Sequence, residues 1–229
     1  MLVHAHGFAV NRGLAEHVDV ELNVRPGLPS FSVIGLSSGA ARDARERVQA
    51  AVLNSGFTFP RRRVTVNLAP AAARVSGPGF DLALACCVLA AEGQIEPGRI
   101  ARIGLFAQLG LGGDLRGCDW VSTAAEVAEE VGLTGLIVAR HDLREARGAS
   151  SVPVAGLSSL REVVSLLARE RGAAARRGPR DQMPPSSGDT APAPSGERPV
   201  GATGSTSVVA LRAVRPRDAD SGRAAGRPP

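Results

Sequence analysis

Gly35-Leu36-Ser37-Ser38-Gly39 has the G-x-S-x-G spacing of a nucleophile elbow, in which a serine on a tight strand-to-helix turn presents its hydroxyl for attack. Asp81, Asp114 or Asp119, followed by His141, would complete a Ser, Asp, His order. The same residues also spell a helix N-cap after a glycine-assisted turn, and too few strands precede them for an α/β-hydrolase. The cap is therefore the leading reading, and a serine hydrolase using Ser37 the alternative. His4 and His6, two residues apart, sit on one side of a strand and offer two imidazoles to a metal. His17 falls on the next strand and no carboxylate obviously converges, so no third ligand is evident. Both are read as ordinary strand histidines, and no metal is assigned. Arg61-Arg62-Arg63 precede a strand as a local positive patch and are the candidate phosphate or DNA contacts. Six Phe, one Trp and no Tyr leave that patch without interleaved aromatics for base stacking. Gly77, Gly79 and the helix after them suit an anion, but a structural turn is the reading adopted.

What the chain lacks narrows the chemistry further. All 27 basic side chains are Arg, and there is no Lys. A Walker A loop, a Ser/Lys dyad and Schiff-base chemistry all need an amine, and Arg stays protonated at any ordinary pH, so it cannot act as the base. Neither a P-loop ATPase nor a Ser/Lys protease is expected from this chain, and no cofactor is assigned. Cys86, Cys87 and Cys118 form no C-x-x-C pair, and an odd count suits a reducing cytoplasm. The longest apolar run, Leu82 to Ala91, is half of the roughly 20 residues that a spanning helix needs, and the N-terminus has no basic region followed by an apolar one. A cytoplasmic protein without membrane contact is expected.

The elements that must position these residues alternate between strand and helix. Residues 2 to 24 read as two strands around a turn at Asn11, Arg12 and Gly13, the second with Val18, Val20, Leu22 and Val24 on one face. A strand from Phe31 to Gly35 leads into a helix from Ser38 to Asn54 capped by Ser37 or Ser38. On that helix Arg42 with Glu46 and Asp43 with Arg47 form exposed i, i+4 pairs. A strand over Val64 to Leu68, a turn at Gly77-Pro78-Gly79 and an apolar helix over Phe80 to Ala91 follow, with Asp81 at the favourable end of the helix dipole. The second half reads as strand Leu105–Leu111, turn Gly112-Gly113-Asp114, helix Asp119–Val131, strand Gly135–Ala139, helix Asp142–Arg147, strand Val152–Ala155 and helix Ser158–Glu170. This pattern predicts an α/β (α+β) sandwich over residues 1–171, large enough for a proper core. Residues 1–172 hold 18 Arg against 17 acids, and residues 173–229 hold 9 Arg against 5, so most of the +5 net charge lies in the tail. That tail, 172–229, is rich in Ala, Arg, Gly and Pro and is expected to be disordered. Only Ser207 to Val214 suggest a short strand.

The block Asn54-Ser55-Gly56-Phe57, Phe59-Pro60, Val66-Asn67-Leu68-Ala69-Pro70, together with the stretch from Gly79 to Ile95, resembles the N-terminal domain of magnesium-chelatase-like AAA+ proteins of the ComM/YifB type. The resemblance covers about residues 2 to 171. It implies a Lon-protease-like fold, also seen in a ribosomal protein, which in the family precedes an ATPase module that uses ATP to move branched DNA during natural transformation. Family members usually carry Pro-Asp where this chain has Ser37-Ser38. By the same resemblance Gly79 stands at about the position of the Lon nucleophile and Ser122 near that of its Lys partner. The family's usual Arg-Gly segment before that helix reads Gly117-Cys118-Asp119-Trp120.

The function expected is therefore a non-catalytic ComM-type domain acting as an interaction or DNA-associated module. Its partners would be DNA through Arg61, Arg62 and Arg63, and a second copy or a full-length ComM-type ATPase. The abrupt change at Arg171 is also what a coding region read in another frame produces. A truncated remnant of a branch-migration factor is the second expectation.

Overall fold

The computed structural model describes residues 1–11, 13–69 and 79–175. The turn residues Gly77 and Pro78, and the expected tail from residue 176 onward with its Ser207–Val214 segment, lie outside these residues. The two opening strands are β1 (Leu2–Asn11) and β2 (Leu14–Arg25), paired antiparallel along their full facing length. After β3 (Ser30–Ile34) comes α1 (Ser38–Asn54), then β4 (Arg63–Ala69) and α2 (Asp81–Ala91). The second half contains α3 (Pro97–Ile100), β5 (Ile103–Phe106), β6 (Gln108–Leu109), β7 (Leu115–Arg116) and α4 (Val121–Glu130). It ends with β8 (Gly135–Ala139), α5 (Leu143–Ala149), β9 (Val154–Leu157) and α6 (Leu160–Ala175).

One seven-stranded sheet runs in the order β3-β4-β2-β1-β5-β8-β9. Only β2 opposes its neighbours; the β3–β4, β1–β5, β5–β8 and β8–β9 pairs are parallel. This mixed α/β architecture agrees with the alternation of elements in the sequence. Side chains of alternate strand residues point to opposite faces, and two apolar layers result. On one face Val3, Ala5, Val20, Leu22, Val64 and Val66 pack with α1, α2 and the start of α6. Every residue of α2 is buried, its apolar side chains running all the way round. On the other face Phe8, Phe106, Leu136 and Val138 meet Val121, Ala124, Ala125 and Ala128 of α4 and Ala146 of α5. That second layer covers only part of the sheet. Beyond it, over β1, β2 and β4, lie His4, His6, Asp19, Glu21, Arg25, Arg63, Thr65 and Asn67, which are exposed or half-buried and form an open polar face.

Four elements depart from those expected. The strand expected from Leu105 to Leu111 breaks at Ala107, where the chain turns to bind the start of α2. The Ala107 amide donates to the Gly79 carbonyl at 3.2 Å, and the Leu82 amide donates to the Ala107 carbonyl at 3.3 Å. The remainder forms the small β6–β7 hairpin over Gly112-Gly113-Asp114. β9 starts at Val154 because Pro153 has no amide to give, although its carbonyl accepts from Leu136 at 2.9 Å. α3 is one turn begun by Pro97, too short for periodicity to show. α6 continues to Ala175, past the boundary read at Arg171. Among the described residues, no helix is long and apolar enough to cross a membrane.

Candidate functional site

The three consecutive arginines enter three different surroundings. Arg62 pairs with Glu92 just beyond α2. Arg63 is the first residue of β4, opposite Arg25 of β2, and both are exposed on the open sheet face. Arg61 is exposed at the rim of a cleft of about 270 Å³ on the helical side, whose walls include Arg45 and Gln49 of α1 and Phe31, Phe59 and Ser30. Among the described residues neither Arg45 nor Arg61 forms an ion pair. The loop carrying Arg61 is clamped: the Thr58 amide donates to Gln94 Oε1 at 2.8 Å, and Gln94 Nε2 donates to the Thr58 carbonyl at 2.9 Å. The Phe31 and Phe59 rings lie 5.7 Å apart beside it. The patch thus has aromatic neighbours after all. Their signal was in the segment Phe57-Thr58-Phe59-Pro60 immediately ahead of the arginines, while Arg45 was hidden among exposed helix charges.

Ser37 is the N-cap of α1, and its Oγ accepts the Ala40 amide at 3.3 Å. His141 lies after β8, two-thirds exposed, with Asp142 as its acidic neighbour at 3.4 Å. Four strands separate β3 from β8 in the sheet. At about 4.8 Å per strand this sets Ser37 and His141 on the order of 20 Å apart. The hydrolase constellation therefore does not assemble, and capping accounts for the glycine-flanked serine. Ser37→Ala is expected to cost about 1 kcal/mol through the lost cap, read as a small drop in Tm. A drop several times larger would show that Ser37 has a further structural partner. The thiols are no better as nucleophiles, since burial pushes Cys86 and Cys118 up to about 12 and Cys87 well above its ordinary value.

The histidines require a correction. The hairpin register sets His6 opposite Asp19, Phe8 opposite His17 and His4 opposite Glu21. His17, set aside because it belongs to the next strand, is brought to His6 by that pairing, and Asp19 joins them. His6 Nδ1 is 2.9 Å from His17 Nε2 and 3.1 Å from Asp19 Oδ1, and His17 Nε2 is 3.6 Å from the same oxygen. His4 stays outside this triad, 3.8 Å from Glu21. Burial holds His17 below the ordinary imidazole range against the opposing pull of Asp19.

Elsewhere on α1, Arg47 forms no ion pair along its own helix with Asp43. It reaches Asp81 in a two-pronged contact, Nε to Oδ2 at 2.7 Å and Nη2 to Oδ1 at 3.0 Å. Asp81 is fully buried. Burial pushes its carboxyl up, and the bonds to Arg47 and to the Leu109 amide hold it back. Gly79, just ahead of α2, has no room for a side chain, because a Cβ there would lie 2.3 Å from the Phe106 ring. Trp120, in the altered segment before α4, is the one non-glycine described residue with a left-handed backbone, φ 69°.

Residues 20–142 match the family described as subunit ChlI of Mg-chelatase. The chain is 34% identical over 181 residues to an uncharacterized protein of Mycobacterium tuberculosis, covering 79% of this chain and 36% of that protein. It is 34% identical over 150 residues to competence protein ComM of Haemophilus influenzae, covering 66% and 29%. It is 35% identical over 128 residues to the uncharacterized protein YifB of Escherichia coli, covering 56% and 25%. The chain thus spans about a third or less of the length of these curated relatives.

Proposed function

Because this chain belongs to the family of the ChlI subunit of Mg-chelatase, we propose that it is a non-catalytic, DNA-associated module on a Lon-protease-like domain. The observation that carries this reading is the cleft in which Arg45 and Arg61 flank Phe31 and Phe59. Two guanidiniums that stay charged suit consecutive phosphates, and an aromatic wall suits an unpaired base. The competence role in the name of the Haemophilus relative supports a nucleic-acid partner. The lack of any Lys supports a role without its own nucleotide hydrolysis or peptide cleavage. On this reading a second copy or a full-length ComM-type ATPase in the cytoplasm is the protein partner, and only the ATPase would supply the work.

Fluorescence anisotropy with a labelled four-way junction and a single-stranded oligonucleotide tests the assignment across a salt series. Binding is expected to weaken steeply with salt. In Arg45→Gln/Arg61→Gln the log–log salt slope should fall by about 1.5 to 2, one counterion contribution per lost phosphate contact. Arg62→Gln, whose partner is Glu92, should change the slope least. No binding of the unaltered chain even at low salt, or a slope indifferent to Arg45 and Arg61, removes this interface.

A further inference from the structure

We propose that His6, His17 and Asp19 form a binding site for one borderline divalent transition-metal ion, zinc being the cation they suit best, on the open face of the sheet. His6 Nε2 lies 3.1 Å from the Ala101 carbonyl, and a carbonyl only accepts, so that ring nitrogen carries hydrogen. In the neutral ring Nδ1 is then a bare lone pair. It faces the His17 ring nitrogen at 2.9 Å and the Asp19 carboxylate at 3.1 Å. An ionised carboxylate also only accepts, so the three atoms converge on one electropositive centre, filled either by a hydrogen on His17 Nε2 or by a metal ion.

The dimensions fit an ion. Zinc bonds nitrogen and oxygen at about 2.0 to 2.2 Å in a tetrahedral arrangement, which separates neighbouring ligand atoms by roughly 3.3 to 3.6 Å. The observed edges are 2.9, 3.1 and 3.6 Å, so adjustments of a few tenths of an ångström seat the ion. The Ala101 carbonyl orients the His6 ring, as outer-shell acceptors do for metal-ligating histidines. The edge of Phe8 holds the His17 ring at 6.0 Å between centroids. Both histidines stand on a long paired hairpin rather than on a loop, so the geometry is built into the sheet. The histidine side chains are 24% and 21% exposed and Asp19 52%, which leaves an approach from solvent and room for water as a fourth ligand.

The donor set decides the class of ion. Imidazole favours zinc, nickel, copper or iron(II), whereas magnesium and calcium take oxygen ligands. The site therefore has no connection to the magnesium in the family's name and stands apart from the DNA reading of the cleft.

The test uses the full chain with any affinity tag removed. Zinc is titrated by calorimetry, and cobalt(II) is added as a spectroscopic substitute. One ion per chain is expected. Cobalt should give visible ligand-field bands of a low-symmetry site without the near-ultraviolet thiolate band that a cysteine ligand produces. His17→Gln and Asp19→Asn should each weaken zinc binding by at least about tenfold, the loss that even outer-shell changes cause. Asp19 is exposed, so its variant serves if His17→Gln folds poorly. His4→Ala and His141→Ala should leave the affinity unchanged. A chain that binds no zinc, or variants at His17 and Asp19 that bind it as the parent does, overturns the site and leaves a proton-sharing hydrogen-bond cluster in its place.

Discussion

Arg47→Met is expected to destabilise the domain by about 3 to 5 kcal/mol at neutral pH, because it strands the Asp81 carboxylate in the core without its counter-charge. Domains of this size have about 5 to 15 kcal/mol in total, so the variant should stand near the edge of folding. The wild-type contact is bidentate, at 2.7 and 3.0 Å, and ties α1 to the first turn of α2, while the Leu109 amide approaches the same carboxylate from β6. The penalty should depend on pH in a defined direction. Burial already raises the Asp81 pKa, and Arg47 opposes it. With Arg47 gone, the folded-state pKa moves further up. A raised carboxyl contributes stability fully below its unfolded value, about 3.9, and loses it as pH rises through the folded value. The gap between Arg47→Met and the parent should therefore narrow as pH falls from 7 toward 4, by at most about 1.4 kcal/mol per unit. Urea unfolding followed by circular dichroism at several pH values measures this. Adding Asp81→Leu should recover much of the loss, since an apolar replacement of both partners leaves no unpaired charge. A single variant as stable as the parent at pH 7 would mean that water already reaches the carboxylate.

The same pair shows where sequence reasoning stops. Asp81 was legible as an N-terminal acid of an apolar helix, and α1 was legible residue for residue from Ser38 to Asn54. Nothing in one dimension says that Arg47 turns inward across 34 residues of chain, and the i, i+4 spacing to Asp43 points the other way. The histidine triad differs, because its signal was present. Period-two alternation alone puts His17 and Asp19 on the polar face of the neighbouring strand, while the exact register, Asn11 opposite Leu14 and hence His6 opposite Asp19, lies one residue from the one a three-residue turn at 11 to 13 would set. Treating the next strand as distant, rather than as the nearest neighbour, concealed the cluster. The strand break at Ala107 had no such signal, being caused by backbone bonds to Gly79 and Leu82 from a distant segment. The parallel strand β8, buried on both faces, reads as a continuous apolar run and was legible from Gly135 to Ala139, whereas β5 shares only Leu105 and Phe106 with the strand read there. The place of either in the sheet order was not legible, since an apolar run does not name its neighbour.

Restoring the protease residues that the family resemblance points to should destabilise the fold and yield no peptidase. Gly79→Ser combined with Ser122→Lys supplies a hydroxyl and an amine at the corresponding positions, but a Cβ at residue 79 would lie 2.3 Å from Phe106 Cε2 and 3.0 Å from the Phe8 carbonyl oxygen. Phe106 is fully buried and meets Phe8 edge to face, with centroids 5.8 Å apart. Its ring cannot swing away without opening the second apolar layer, and on the other side the Ala107 amide holds the Gly79 carbonyl at 3.2 Å. Overpacking of this kind costs about 1 to 3 kcal/mol or more. Thermal unfolding of Gly79→Ser alone should therefore show a clear drop in Tm. In the double variant Gly79→Ser/Phe106→Ala the two losses should be less than additive, because removing the ring creates the room the serine needs. Phe106→Ala alone is expected to cost about 3 to 5 kcal/mol through its cavity, so the cycle is best read in Gly79→Ala/Phe106→Leu as well, where both changes are smaller. Strict additivity would mean that the ring is not what excludes a side chain at residue 79. With sub-additive losses, residue 79 is closed to any side chain by the packing of the sheet's second face, and a serine placed there would require that layer to be rebuilt around it.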